Sequence, residues 1–171
     1  MRTFRIAAFG VALTLASCTK YDPIGAECRR EELAPGAVMK SVNAGGFAGR
    51  YRSRTYFEDG RVIVADGYPS VGPQALTTTK VSAERIRRLE HDLAATGIFW
   101  ALEGCWSSRT VIPDGATTSL AVRHDGRTYS YSTSQAYPYV VVAAQRIASA
   151  LDDEVEQNLR AASDAGVDTA L

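Results

Sequence analysis

Apolar and polar residues alternate strictly over residues 50–57, with Tyr51, Ser53, Thr55 and Phe57 on one side and Arg50, Arg52, Arg54 and Tyr56 on the other. A period of two is that of a strand with one face buried. Asp59-Gly60 then supplies a two-residue turn that tolerates positive φ, and residues 61–65 return as a second strand. That turn predicts register as well as pairing: Phe57 faces Val62 and Thr55 faces Val64 on the buried side, Glu58 faces Arg61, and Asp66 faces Ser53 beside the arginines. Residues 118–124 and 127–133 flank Asp125-Gly126 in the same way, which sets Val122 opposite Tyr129 and Leu120 opposite Tyr131.

The spacing changes to three and four at Ile86, Leu89 and Leu93, the stripe of an amphipathic helix. Ser82 is its N-cap, Glu84 lies in the first turn, and Gly97 ends it in the left-handed conformation. Ile98-Phe99-Trp100 follows as an apolar stop tucked under the helix end. Pro138 opens a second helix, whose Val140, Ala144, Ile147, Leu151 and Val155 repeat at the same spacings. Residues 37–43 and 77–81 read as further short strands. Residues 67–76, with Pro69, Gly72 and Pro73, read as a loop, and so does the polar stretch from Glu103 to Gly115. The fold class is therefore α+β: a mainly antiparallel sheet of two hairpins with two helices packed on one face, in the order ββαββα. Asp-Gly-Arg at both turns and Arg-Ile in both helices fit either an internal duplication or a common turn used twice.

The first 17 residues have a different character. Arg2 and Arg5 form a charged start, Ile6 to Leu15 is apolar or small, and Ala16-Ser17 precedes Cys18. Such a run is too short to span a bilayer, which takes roughly 20 residues. The ending Leu15-Ala16-Ser17-Cys18 resembles the cleavage box of bacterial lipoprotein signal peptides. The resemblance implies that the chain is cut before Cys18, that Cys18 carries the lipid, and, with Thr19 rather than Asp next, that the protein is sorted to the outer membrane facing the periplasm. Several acyl chains anchor firmly, at about 0.8 kcal/mol per buried methylene. The chain thus divides into a signal (1–17), a lipidated tether (18–36), one domain (37–159) and a flexible tail (160–171) that lacks a further apolar stripe.

Processing leaves 154 of the 171 residues, enough to bury a core, and 17 of the 19 basic side chains against 19 acidic ones. A net formal charge of −2 argues against nucleic acid as a partner. Cys28 and Cys105 remain in a compartment that permits disulfides, and their pairing closes a 77-residue loop, worth roughly 4 kcal/mol in the chain-entropy model. The competing reading makes Cys105 a reactive thiol.

Catalytic machinery is not legible. His91 and His124 belong to no zinc-binding spacing, and the chain carries no nucleophile elbow, phosphate loop or dinucleotide fingerprint. Asp152, Asp153, Glu154 and Glu156 follow one another around a helix and read as a solvated end rather than a cation site. No catalytic residue, metal ligand or cofactor is expected. Arg50, Arg52 and Arg54 form a ladder read as a solvated sheet face, or as a surface that docks on an anionic envelope component. Trp106, in a polar loop, is a partner anchor or a lid on the core.

One segment carries a family likeness. Asn43-Ala44-Gly45-Gly46-Phe47-Ala48-Gly49-Arg50 near the domain start, Arg88-Leu89 in the first helix, Gly97-Ile98-Phe99 at its exit, then a hairpin and a final helix, resemble the emfourins. These are small bacterial protein inhibitors of thermolysin-like metalloproteases, and the likeness covers roughly Val38 to Leu151. It implies a non-enzymatic binding domain whose partner is such a protease or another envelope protein, with Gly45, Gly46, Phe47 and Gly49 at the contact. Physically, the three glycines permit a tight backbone, and Phe47 either enters the core at a bend or projects as a plug. The lipidated tether, the cysteine pair and the long loops at 67–76 and 103–116 depart from the family pattern.

Overall fold

The extended pattern runs further than two hairpins. The computed structural model describes residues 32–45, 49–68, 71–101, 105–107, 116–133 and 139–166. Four strands come first, β1 (Ala37–Gly45), β2 (Arg50–Phe57), β3 (Arg61–Tyr68) and β4 (Gly72–Lys80). Helix α1 (Ala83–Ala95), the single turn α2 (Ile98–Ala101), β5 (Cys105–Ser107), β6 (Ala116–His124), β7 (Arg127–Thr133) and helix α3 (Tyr139–Asp164) complete the order. The strands form one sheet in the sequence β4-β3-β2-β1-β6-β7-β5. All neighbours are antiparallel except β5, which runs parallel to β7. The class is thus α+β with a mainly antiparallel sheet, but the sheet exceeds two hairpins and the ββαββα order is replaced. Strand β1 joins the hairpins by pairing with β2 on one side and β6 on the other.

Two stretches expected to be loops contain strands. Cys105–Ser107 is β5 at the sheet edge, and most of 67–76 belongs to β3 and β4. Pro73 is tolerated because β4 is an edge strand, where a missing N–H costs little if it faces away from the neighbour. A register shift between Asp66 and Gly67 brings the backbones so close that a Cβ on Gly67 would lie 2.2 Å from the Gly72 carbonyl oxygen.

The two Asp-Gly-Arg turns are built differently. At the second, Asp125 (φ 47°) and Gly126 (φ 72°) are both left-handed, and Val122 faces Tyr129 and Leu120 faces Tyr131 as the pattern predicts. At the first, the Gly60 N–H bonds the Phe57 carbonyl (3.0 Å) and Gly60 takes φ 85°, so the loop has three residues, Glu58 to Gly60. The register therefore moves by one: Tyr56 faces Val62, Arg54 faces Val64, and Arg52 faces Asp66. A one-residue shift exchanges the faces of a strand. Tyr56, Arg54 and Arg52 thus share the side of Val62 and Val64, under the helices, and Phe57, Thr55 and Ser53 take the opposite face. Phe57 is covered there by the Arg61 guanidinium, 4.0 Å above its ring.

One core lies between that inner face and the helices. Met39, Tyr56, Val62, Val64, Leu120, Val122 and Tyr131 from the sheet meet Ile86, Leu89 and Leu93 of α1 and Val141, Ala144, Ala148, Leu151 and Val155 of α3. Burial stabilises each large side chain by about 1.5–3 kcal/mol as an upper estimate. Helix α1 keeps its expected boundaries: the Ser82 hydroxyl accepts from the Arg85 N–H (3.2 Å), and Gly97 follows the C-cap Thr96 at φ 77°. Ile98 is buried, but Trp100, two residues on and nearly half a helical turn away, is 80% exposed, which corrects the tucked-in reading of that segment. The buried stripe of α3 is Val141, Ala144, Ala148, Leu151, Asp152 and Val155, and the helix continues past Leu159 to Asp164. Val140 and Ile147 pack at its margin.

Candidate functional site

The most polar part of the interior joins α3 to the centre of the sheet. Asp152 and Glu156 stand four residues apart on one helix face. Beneath them, Arg54 donates from Nη1 to Asp152 Oδ2 (3.3 Å) and from Nη2 to Glu156 Oε1 (2.6 Å). Arg52 donates from Nε and Nη2 to the two oxygens of Asp66 (2.6 and 2.8 Å) and from Nη1 to Glu156 Oε2 (2.8 Å). Asp152 also accepts from Ser41 Oγ (2.8 and 3.0 Å) and from the Tyr56 hydroxyl (2.5 Å). Burial, then the Asp152 charge, raises the Tyr56 pKa, which keeps that hydroxyl protonated as a donor. The Asp66 hydrogen bond, ahead of the opposing effect of desolvation, raises that of Arg52.

Two expectations are corrected here. Arg54 is 6% exposed and Asp152 7%, so neither a solvated arginine face nor a solvated acidic helix end describes them. The cause is the register of the first hairpin, which turns the ladder inward, together with the position of Asp152, four residues after Ala148 and three before Val155 in the buried stripe. With its carboxylate oxygens taken by protein donors, the cluster clamps the helix to the sheet, enclosed at Arg54 and Asp152 and open to solvent at Arg52 and Asp66, whose side chains are 39% and 43% exposed.

The clamp has a pH signature. Burial raises the Asp152 pKa, outweighing the Tyr56 hydrogen bond, the Arg54 charge and the Ser41 hydrogen bond. The folded state therefore holds this proton more tightly than the unfolded chain. The associated stability is full below the ordinary aspartate value and is lost as pH rises through the folded one. Asp152→Asn is expected to flatten this slope in urea unfolding followed from about pH 4 to about pH 7; an unchanged slope would show that Asp152 does not cause it.

A second arrangement is open to solvent. Gly45 (φ 97°) and Gly49 (φ 56°) bracket the β1–β2 connection at one end of the sheet, and the β3–β4 connection lies at the same end. Between them is a groove of about 460 Å³ lined by Arg50, Tyr51, Arg52, Asp66, Tyr68 and Gln74, among others. Tyr68, Val71 and Leu76 are exposed apolar side chains of this hairpin. A groove of about 350 Å³ elsewhere has Val38, Ile86, Leu89 and Val122 in its wall, with Arg87 and Arg123 among its charges. Arg123 there donates to the Leu33 and Ala34 carbonyls at 3.4 Å.

The structure brings Gly45, Gly49 and Arg50 to one end of the sheet, buries Arg54, and holds the half-exposed Arg52 in ion pairs with Asp66 and Glu156. Trp106 lies four strands across the sheet from β2, with β1, β6 and β7 between them. For Cys105 and Trp106 only the backbone position is described, beside Ser130 and Tyr131. Cys18, Cys28, Gly46 and Phe47 lie outside the described residues. Ser41, Tyr56, Asp152 and Glu156 in the clamp, and Tyr51, Tyr68 and Gln74 in the groove, are additions; of these, Asp152 had a readable signal, an acid interrupting an apolar stripe. Among the described residues no helix is long and apolar enough to cross a membrane. The chain matches no family model and no curated protein.

Proposed function

We propose that this chain is a lipid-anchored, non-enzymatic binding domain of the bacterial envelope, held through Cys18, whose partner is a protein engaged at the glycine-bracketed end of the sheet. The observation that carries this reading is the contrast between the two polar arrangements. In the buried one every carboxylate is answered by protein donors and only Arg54 Nε lacks a partner, while the open one combines a groove, two tyrosines and exposed apolar side chains. Aromatic side chains at a concave surface supply large contact area with little conformational loss, which suits protein recognition. The ladder's role in docking narrows to Arg50.

A thermolysin-like protease is the partner class carried by the Gly45–Gly49 resemblance. The full chain, titrated against a panel of thermolysin-like proteases, is expected to slow cleavage of a peptide substrate at micromolar concentration. Unchanged cleavage across the panel would remove the inhibitory activity and leave an envelope protein as the partner.

A further inference from the structure

The groove at the glycine-bracketed end has one unbalanced charge. Arg52 is held bidentately by Asp66 and again by Glu156, so both Arg52 and Asp66 enter the groove already neutralised. Arg50 is exposed, lines the groove, and forms no ion pair or hydrogen bond among the described residues. Tyr51, Tyr68 and Gln74 also line the groove, Tyr68 being 42% exposed. The groove crosses β2, β3 and β4, three strands spaced about 4.8 Å apart, so its length matches about three residues of extended chain at about 3.3 Å each.

We propose that this groove receives an extended segment of the partner protein, and that the segment sets an aspartate or glutamate against Arg50 and an apolar side chain against Tyr68. The proposal rests on the protein-binding reading above and adds the chemistry of the bound segment. A guanidinium in a partly enclosed groove pairs a carboxylate through two parallel hydrogen bonds, and the tyrosine hydroxyls add neutral ones. An anionic membrane or polyanionic saccharide is a poorer match, because such surfaces are held by several unpaired cations and the pairing of Arg52 leaves one.

The test places p-benzoylphenylalanine at Tyr68, and separately at Arg87 in the other groove, in the full chain in its native envelope. Residue 68 is expected to trap a protein through a segment with an aspartate or glutamate within about three residues of the crosslink. Arg50→Glu is expected to weaken that crosslink about tenfold without moving the unfolding midpoint, and amidation of the trapped acid is expected to weaken binding of the corresponding synthetic peptide about tenfold. Trapping at residue 68 through a segment without an acid, or insensitivity to Arg50→Glu, overturns the inference and leaves the protein-binding reading standing, whereas trapping of a protein at residue 87 alone overturns both the inference and the place given to the partner. Lipid or saccharide adducts with no protein at either position overturn both.

Discussion

Arg54→Ala is expected to lower the stability of the domain by about 3–5 kcal/mol, the usual cost of removing one partner from a buried ion pair. The loss comes less from the attraction removed than from what is left behind. Asp152 would remain enclosed with a negative charge that only the Ser41 and Tyr56 hydroxyls answer, and Glu156 would keep Arg52 alone. Such an uncompensated carboxylate takes up a proton or draws in water, and either change loosens α3 from the sheet. The paired replacement Arg54→Leu with Asp152→Leu separates this account from simple packing loss. It removes both buried charges and fills the volume with hydrocarbon but leaves the Ser41 and Tyr56 hydroxyls without their acceptor, so it is expected to recover part of the loss and unfold about 1–3 kcal/mol below the parent. Equilibrium urea unfolding of the three proteins checks both statements. A double variant as unstable as Arg54→Ala alone would mean that the polar clamp contributes specificity or packing that hydrocarbon does not replace.

Gly60→Ala is expected to cost about 3 kcal/mol, and Gly126→Ala only about 1 kcal/mol, although both glycines follow an aspartate and precede an arginine. At both positions φ is left-handed, 85° at Gly60 and 72° at Gly126, so both alanines carry the same backbone strain. At Gly126 nothing lies within 4 Å of the added carbon, whereas at Gly60 the carbon would sit 2.3 Å from the Val81 carbonyl oxygen. Backbone has to move there, and the segment that has to move also carries the Val81 N–H bond to the Gly60 carbonyl (2.9 Å) just before α1. The three-residue loop is the source of the register that turns Arg52, Arg54 and Tyr56 inward, so this alanine is expected to disturb the clamp as well. Thermal unfolding of the two variants checks the ordering; equal shifts would contradict the close approach at Gly60.

Helix α1 was legible down to its cap and stripe because Ser82, Ile86, Leu89, Leu93 and Gly97 each act locally. The second hairpin was legible for the same reason, since Asp125-Gly126 chooses its own turn. The first hairpin shows where local reading ends. Asp59-Gly60 permits a two-residue turn, but the contact of Gly60 with Val81 and the apolar pair Val62 and Val64 favour a three-residue loop, and that contact joins residues 21 positions apart. Alternation within residues 50–57 marked two faces without saying which was buried. Phe57 among small residues looked inward and three arginines looked outward, and only the acids of α3 reverse that preference. Asp152 could have warned of this, because an acid in line with Ala148 and Val155 cannot be solvated if the stripe is buried. The β3–β4 hairpin was obscured by Pro73 and Gly72, residues an edge strand accepts and an interior strand rejects. For the candidate site, Gly45, Gly49 and Arg50 are legible in the sequence, but the groove depends on Asp66, Tyr68 and Gln74 from two further strands. No local pattern places those beside Arg50.

The arginine ladder is divided: Arg54 and Arg52 hold α3 on the sheet, and Arg50 is left exposed for the proposed partner. The most direct measurement is thermal unfolding of the full chain with Arg50→Ala set beside Arg54→Ala. The division predicts a midpoint for Arg50→Ala within about 1 °C of the parent and a fall of about 10 °C or more for Arg54→Ala. Equal midpoints for the two variants, or a larger fall for Arg50→Ala, would contradict it.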